Sequence, residues 1–368
     1  MPKKRTAPPQ QLEHFTPQSD EQRGYSNILQ GKATNALAHS SKRGFSVNPI
    51  TGIGTMTAEG VEIFIKNYNS IVLNVPTHKV LDALTLKLTS NFPHGKEATA
   101  ESIDAHRAVE ISVDEYMELC QLKDRKEARK QLREAAQALF DVALEWDELR
   151  YYVPEGKKKR VKETYHWKAR IVEATGADAD QDPVKQGKVA IKFTYDIAKY
   201  LSQAYIMPYP DKLLSINAKY NPHSYYIGRK LAEHHNMNIG KENANRISVK
   251  SLLEALPDLP SYDEIMTDAR QITKRIIQPF ERDLIALKET YGILASWTYC
   301  NSKGEPLTEE QVESYSYDVW VQWLIEFELA SYPDQSERLA KIEERKRIAS
   351  KRKRTTKTTK TEETTEKP

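Results

Sequence analysis

Cysteine is scarce in this 368-residue chain: only Cys120 and Cys300 occur. Two cysteines exclude a disulfide scaffold and a cysteine-based zinc site, and they fit a reducing cytoplasm. Glycine is also sparse, with 14 residues, which argues against a large Gly-rich nucleotide-binding fold. No apolar run approaches the roughly 18 residues that a membrane helix needs. The opening stretch, Met1 to Gln11, carries charge but no apolar core, so it is not a signal peptide. The phosphate loop G-x-x-x-x-G-K-S/T is missing, which argues against ATPase or helicase activity. So are H-E-x-x-H, metal-spaced Cys/His sets and the G-x-S-x-G elbow. The sequence therefore gives no reason to expect a catalytic residue, a cofactor, a metal or a membrane partner. Charge of one sign is not in excess either. Lys plus Arg number 55 and Asp plus Glu 52, a net charge of +3. A nucleic-acid partner must show itself in where the charges lie.

What is present is enough apolar residue to build cores, 39%, beside 29% charged residues and a mean hydropathy of -0.68. The length suits two domains plus tails. Residues 1–45, rich in Pro, Gln, Ser and Lys, read as a disordered basic extension. Residues 335–368 read as a charged helix, to about Arg354, fading into a Thr/Lys/Glu tail. Its basic run Lys351, Arg352, Lys353 and Arg354 is read as a solubilising surface, with non-specific phosphate contact as the alternative.

Between the ends a pattern occurs twice. Ile111 opens ISVDEYMELCQL and Ile247 opens ISVKSLLEALPDL. Each suggests a short amphipathic helix, followed by a longer one starting near Asp124 and near Asp268. Aromatic strand patterns come next. The first unit is assigned to residues 46–207 and the second to 208–334. In the first, GVEIFIKNYNSIVLNV predicts two strands around Asn67–Ser70. Pro76 then opens a helix with Val80, Leu81, Leu84 and Leu88 on one face. Val161, Glu163, Tyr165, Trp167, Ala169 and Ile171 alternate as a half-buried strand does. The turn before it holds Lys157, Lys158, Lys159 and Arg160, and is read as the basic tip of a wing. In the second unit, Pro222 starts or kinks the first helix. Tyr317, Val319, Val321, Trp323, Ile325 and Phe327 predict one face of a strand. The expected fold class is α+β, mostly helical: tandem winged helix-turn-helix domains with β-hairpin wings and disordered tails.

A winged helix sets its second helix in a major groove and its wing along the backbone or minor groove. The long helix should then have one apolar and one cationic face. In the second unit, Ile272, Ile276, Phe280, Leu284 and Leu287 share a face. Opposite them lie Arg270, Gln271, Lys274, Arg275, Gln278 and Arg282, with Glu281 intruding near the edge. Ordinary solvated faces mix acids with bases, so this imbalance favours DNA contact. Arg suits guanine and Gln suits adenine. Pro279 should kink the helix, leaving Asp268–Gln278 as the reader. In the first unit, Arg125, Lys126, Arg129, Lys130 and Arg133 crowd the start of the long helix. Asp124, Glu127 and Glu134 dilute them, so DNA contact and a solvated face are equally good readings there.

The sequence resembles the replication initiators of plasmids with repeated origin sites, which are built from two winged-helix domains. The segments that carry the resemblance are HKVLDALTLKLT, KVAIKFTYDIAKYL, KYNPHSYYIGRKLAE and ARQITKRIIQPFERDLIAL followed by SWTYC and YDVWVQWLIEFEL. They cover roughly residues 60–330, and their order carries more than any single motif. The basic N-terminal extension, the acidic insert Gly176–Gln186 and the lysine-rich tail depart from the familiar pattern.

The resemblance implies binding of short direct repeats in double-stranded DNA at the origin. The second domain would be the main reader, through Arg270, Gln271, Lys274, Arg275 and Gln278. The first would give auxiliary DNA contact in monomers and the interface in dimers. A monomer–dimer equilibrium, opening of AT-rich DNA, recruitment of the host initiator and replicative helicase, and repression of the protein's own gene are also implied. The location would be cytoplasmic, on plasmid or nucleoid. The alternative is a tandem winged-helix transcription regulator. A metal-dependent rolling-circle nickase is the weakest reading. Adjacent His234 and His235 project to different sides of a helix, and the nucleophile would have to be Tyr225 or Tyr226.

Overall fold

The computed structural model describes residues 24–41, 44–71, 73–92, 98–152, 161–177, 187–265, 269–313, 315–344 and 347. The basic turn 157–160, the acidic insert from 178 to 186 and the basic run 351–354 lie outside the described residues.

The chain enters through β1 (Tyr25–Gln30) and α1 (Lys32–Ala38). Strands β2 (Ser46–Val47), β3 (Gly54–Ala58) and β4 (Val61–Ile65) follow. Then comes α2 (Val75–Asn91), capped by Asn74, whose side chain accepts the Thr77 N–H, with a proline in its first turn. Val80, Leu81, Leu84 and Leu88 are buried as their spacing requires. The short α3 (Ala100–His106) leads to β5 (Ala108–Ser112), α4 (Val113–Cys120), α5 (Arg125–Asp141) and a long hairpin, β6 (Val142–Tyr152) with β7 (Val161–Arg170). Strands β8 (Val172–Ala177) and β9 (Lys188–Phe193), helix α6 (Tyr195–Leu201) and β10 (Tyr205–Pro210) complete this half.

The second half runs α7 (Lys212–Ser215), α8 (Ser224–Asn238), β11 (Arg246–Ser248), α9 (Val249–Glu254), α10 (Tyr262–Ile265) and α11 (Ala269–Ile272). A π-helical turn, Thr273–Ile277, joins α11 to α12 (Gln278–Glu289). Last come β12 (Leu294–Cys300), α13 (Glu309–Glu313), α14 (Tyr317–Trp320) and β13 (Leu324–Leu329). Residues 336–344 form a further helix.

The two halves repeat one plan, and the repeated Ile-Ser-Val triplet explains it. Ile111 and Ile247 are buried strand residues. Ser112 and Ser248 cap the next helix by accepting the N–H groups of Glu115 and Ser251. Val113 and Val249 bury the helix's first residue. In the first half, β5, β9 and β8 form a three-stranded sheet in that order; in the second, β11, β13 and β12 do the same. Each half is thus a winged helix: first helix (α2 or α8), strand, short helix, long helix, hairpin.

This equivalence corrects the assignment of the first wing. The hairpin that pairs with β5 is β8–β9, and in sequence the acidic segment 178–186 falls between its strands. The β6–β7 hairpin, with 157–160 between its strands, instead belongs to a five-stranded sheet ordered β2-β3-β4-β6-β7. Strand alternation found the hairpin, but only sheet pairing says which sheet it joins.

Three further expectations change. The apolar residues Ile71 and Leu73 after Asn67–Ser70 are buried without forming a second strand. The segment from Tyr317 to Trp320 is a helical turn that buries Trp320 and leaves Val319 half exposed, so the strand begins only at Leu324. The 45-residue disordered extension gives way from Gly24 onward. There β1 pairs with β10 over six residues, and Ile28, Leu29, Ala33, Ala36 and Leu37 are fully buried.

Candidate nucleic-acid interface

The long helix of the second half stands on a hydrophobic base. Ile272, Ile276, Ile277, Phe280, Leu284 and Leu287 are all buried. Its far end crosses α8 closely at Gly228, where a Cβ would meet Leu213 at 2.7 Å and Leu287 at 3.0 Å. Proline explains the wide turn in the middle. Pro279 has no N–H, and its ring would crowd the carbonyl four residues back. The chain widens just before it, and the Gln278 N–H bonds back to the Thr273 carbonyl, five residues away. Pro279 thus acts through a local bulge in an otherwise continuous rod.

Gln271, Lys274, Arg275, Gln278 and Arg282 are exposed on the other side. Arg275 Nη1 lies 3.5 Å from Gln271 Oε1, one turn back. Arg282 donates to the buried carboxylate of Asp283 at 2.9 Å and keeps half of its side chain in solvent. Arg270 lies in α11, and its side chain is outside the described residues. The one acid of this stretch turns away. Glu281 accepts a hydrogen bond of 3.1 Å from the Tyr299 hydroxyl, which itself accepts from Trp320 Nε1 at 3.1 Å. Burial raises the Glu281 carboxyl above its ordinary range, against that hydrogen bond. The exposed face is therefore free of acid among its described residues. Helix α9 carries a further exposed cation, Lys250, outside the expected set.

The equivalent face of the first half is partly paired with acid. Arg125 is paired with Asp114 at the start of α4, and Lys87 with Glu115 at 2.8 Å. Lys126, Lys130 and Arg133 are exposed on α5, and Arg129 is half-buried and engaged. Position 114 corresponds to Lys250 in the repeated motif, so the two halves differ in sign at the same place. The structure brings Arg125, Lys126, Arg129, Lys130 and Arg133 onto one helix, but separates them from the exposed face of the second half.

The residues a nickase would need are occupied elsewhere. Tyr225 and Tyr226 are fully buried, and the Tyr225 hydroxyl donates to Asp82 at 2.7 Å. His234 and His235 bond Asn243 O at 3.0 Å and Asn245 Oδ1 at 2.7 Å, so they tie the end of α8 to the loop after it. Among the described residues no group of three His, Cys, Asp or Glu could hold a metal ion. Among them, too, no helix is long and apolar enough to cross a membrane.

Residues 63–207 match the model of the initiator replication protein family, in its WH1 domain. Over these residues the chain is similar to the replication initiators. The match begins in β4 and ends in β10, so it covers the first winged helix and its α2. By structure the chain is similar to a crystal structure of domains 2 and 3 of RctB. There the identity is 10% and the TM-score 0.42, with 82% of this chain and 100% of that one covered. A second RctB structure of domains 2–3 gives 9% and 0.34, covering 67% and 82%. Among curated proteins none matches the chain by sequence.

Proposed function

We propose that this protein is a replication initiator that binds repeated sites in double-stranded DNA at a plasmid origin and acts by binding alone. The observation that carries the reading is the acid-free exposed face of Gln271, Lys274, Arg275 and Gln278. It stands on a helix whose opposite face is locked in the core of a winged helix. Side chains of these types bond base edges in the major groove, while the hairpin beside them lies along the backbone. We place the main reader in residues 208–334. Residues 46–207 are given the auxiliary contact and the self-association of a monomer–dimer equilibrium. The cations of α5 and the basic turn 157–160 would add phosphate contacts that carry no sequence information.

Binding energy spent on bending would help open the neighbouring AT-rich DNA. The host initiator and replicative helicase would then be recruited, in the cytoplasm on the plasmid itself. A bound dimer would repress the protein's own gene.

The test is a footprint of the purified protein on DNA flanking its own gene, at two salt concentrations with random-sequence competitor. Regularly spaced protected repeats are expected. A single palindromic site at the promoter would instead make the protein a transcription regulator. Salt-sensitive smearing without a protected site would remove the sequence-reading role.

A further inference from the structure

Beside the reading helix lies a second set of groups that the long helix does not supply. The loop from Asn217 to His223 leads into α8, and it is built rigidly. The Asn217 N–H donates to the Tyr291 hydroxyl at 3.0 Å, and that hydroxyl donates to Asn221 Oδ1 at 3.2 Å. The backbone N–H groups of Tyr220 and Asn221 both return to the Asn217 carbonyl. The Asn217 side chain accepts the Lys219 N–H at 3.0 Å. Asp283 then fixes the loop to the long helix. One of its oxygens accepts from Asn221 Nδ2 at 3.3 Å and from Arg282 Nε at 2.9 Å, and the other accepts the His223 N–H at 2.6 Å.

On this rigid loop two side chains stand in water. Tyr220 is 67% exposed, and the Lys219 ammonium lies 5.9 Å from its ring centroid. Neither has an acidic partner among the described residues. Asp283, the nearest carboxylate in this network, is buried and already accepts from Arg282, Asn221 and the His223 amide. The loop therefore presents an ammonium, a phenol and, through the shared carboxylate, the half-exposed Arg282 guanidinium. The loop backbone is held in place, while the Tyr220 ring and the Lys219 ammonium stand exposed on it. An ammonium and a phenol together suit an anion. In a helix-turn-helix the first helix crosses the sugar–phosphate backbone while the long helix enters the groove. The loop stands at the start of that first helix.

We propose that Lys219, Tyr220 and Arg282 form a clamp for the phosphate backbone of duplex DNA, setting the register of the reading helix without reading sequence. The clamp rests on the reading of α11–α12 as the groove-binding helix.

The full-length protein is titrated against two duplexes over a range of salt. One carries a repeat protected in the footprint, and the other is a random-sequence duplex of equal length. Lys219→Ala is expected to lower affinity for both duplexes by the same factor and to reduce the salt slope by about 1. Tyr220→Phe is expected to lower both affinities equally with the slope unchanged, because no charge is lost. Lys241→Ala, at the far end of α8, should change neither, and thermal unfolding should confirm that all variants fold alike. Arg275→Ala is run in parallel, as it should reduce the preference between the duplexes. Intact affinity and slope in the Lys219 and Tyr220 variants, with preference lost in Arg275→Ala, would overturn the clamp and leave the reading helix standing. If Arg275→Ala is also without effect, the DNA reading of the helix fails with it.

Discussion

At the scale of single residues, charge has to be judged by its partners as well as by its count. Arg125 and Arg275 look alike in the sequence, each near the start of a long helix. The first is paired with Asp114, while the second faces solvent beside Gln271. Replacing Arg275 by alanine is expected to weaken binding to the cognate repeat by about 1–3 kcal/mol and to relax preference at one base pair. Arg125→Ala should change it by less than about 1 kcal/mol, the usual worth of an exposed ion pair. Competition titration against single-base variants of the repeat separates the two. The exposed cations and the apolar stripe were both legible, since periodicity places a residue on a face. Their ion pairs were not, since Asp114 is joined to Arg125 by the fold's turn and not by helical spacing. Buried charges were hidden further. Asp82 sits among the apolar residues of VLDALTL, and nothing nearby in sequence announces its partner Arg229.

At the scale of elements, capping and patterning set most boundaries. Ser112, Asp124 and Ser248 cap the helices that the sequence predicts. What patterning could not give was sheet membership. Both β6–β7 and β8–β9 are antiparallel strand pairs with charged sequence between them, and only the pairing of β5 with β9 marks the second as the wing. The Tyr317–Trp320 turn failed for a similar reason, because alternation looks the same whether one Trp or two Val enter the core. Proline offers a direct test at this scale. Pro279→Ala restores a backbone N–H and removes the cause of the π-helical turn. The helix is then expected to relax toward regular α-helix, rotating Gln271, Lys274 and Arg275 relative to α12. Stability should rise or hold, since an interior proline costs a helix about 3 kcal/mol. Preference for the repeat over random DNA should fall. Thermal unfolding combined with the two-duplex titration checks both halves. A variant that keeps full preference would show that the wide turn does not set the reading face.

At the scale of the whole molecule, the two winged helices are joined by a buried polar cluster. Asp82 of α2 accepts from Tyr209 of β10 at 2.8 Å and from Tyr225 of α8 at 2.7 Å, and it is paired with Arg229. Arg229 also bonds Glu233 at 2.9 Å, and Glu233 bonds His39, just after α1, at 3.0 Å. Nearby, His78 Nε2 lies 2.7 Å from the Ser40 carbonyl, which can only accept, so this nitrogen carries the proton. The segment from Tyr25 to Ser41, which composition assigns to a disordered tail, thus closes the seam between the halves. Removing residues 1–31 deletes β1 and the buried Ile28 and Leu29, each worth about 1.5–3 kcal/mol. Such a truncation is expected to lower the unfolding temperature of both halves together, measured by calorimetry.

The same cluster shapes how stability depends on pH, and two of its shifted groups, Glu233 and His78, act in one direction on the acid side. Burial alone would raise the Glu233 carboxyl. The His39 and Arg229 charges and the His39 hydrogen bond outweigh it and hold the group well below the ordinary carboxylate range. Its contribution is present above the unfolded value and is lost as pH falls toward the folded one. Burial pushes His78 down to about 3, against the Ser40 hydrogen bond. The unfolded chain then takes up a proton near pH 6.5 that the folded chain refuses, and folding is penalised as pH drops from there toward 3. Each group contributes up to about 1.4 kcal/mol per pH unit inside its window. The midpoint of urea unfolding is therefore expected to fall on moving from pH 7 to pH 4.5, and His78→Gln should flatten the upper part of that fall. Asp82→Asn tests the seam itself. It removes one of the two carboxylates around the buried Arg229 guanidinium and leaves Glu233 as its charged partner, so the cost should stay below the about 3–5 kcal/mol of an unpaired buried charge. The reading face lies wholly within the second half. This variant should therefore unfold at lower urea yet keep its preference for the repeat where it remains folded. Loss of preference in folded Asp82→Asn protein would mean that the seam also shapes the reading helix.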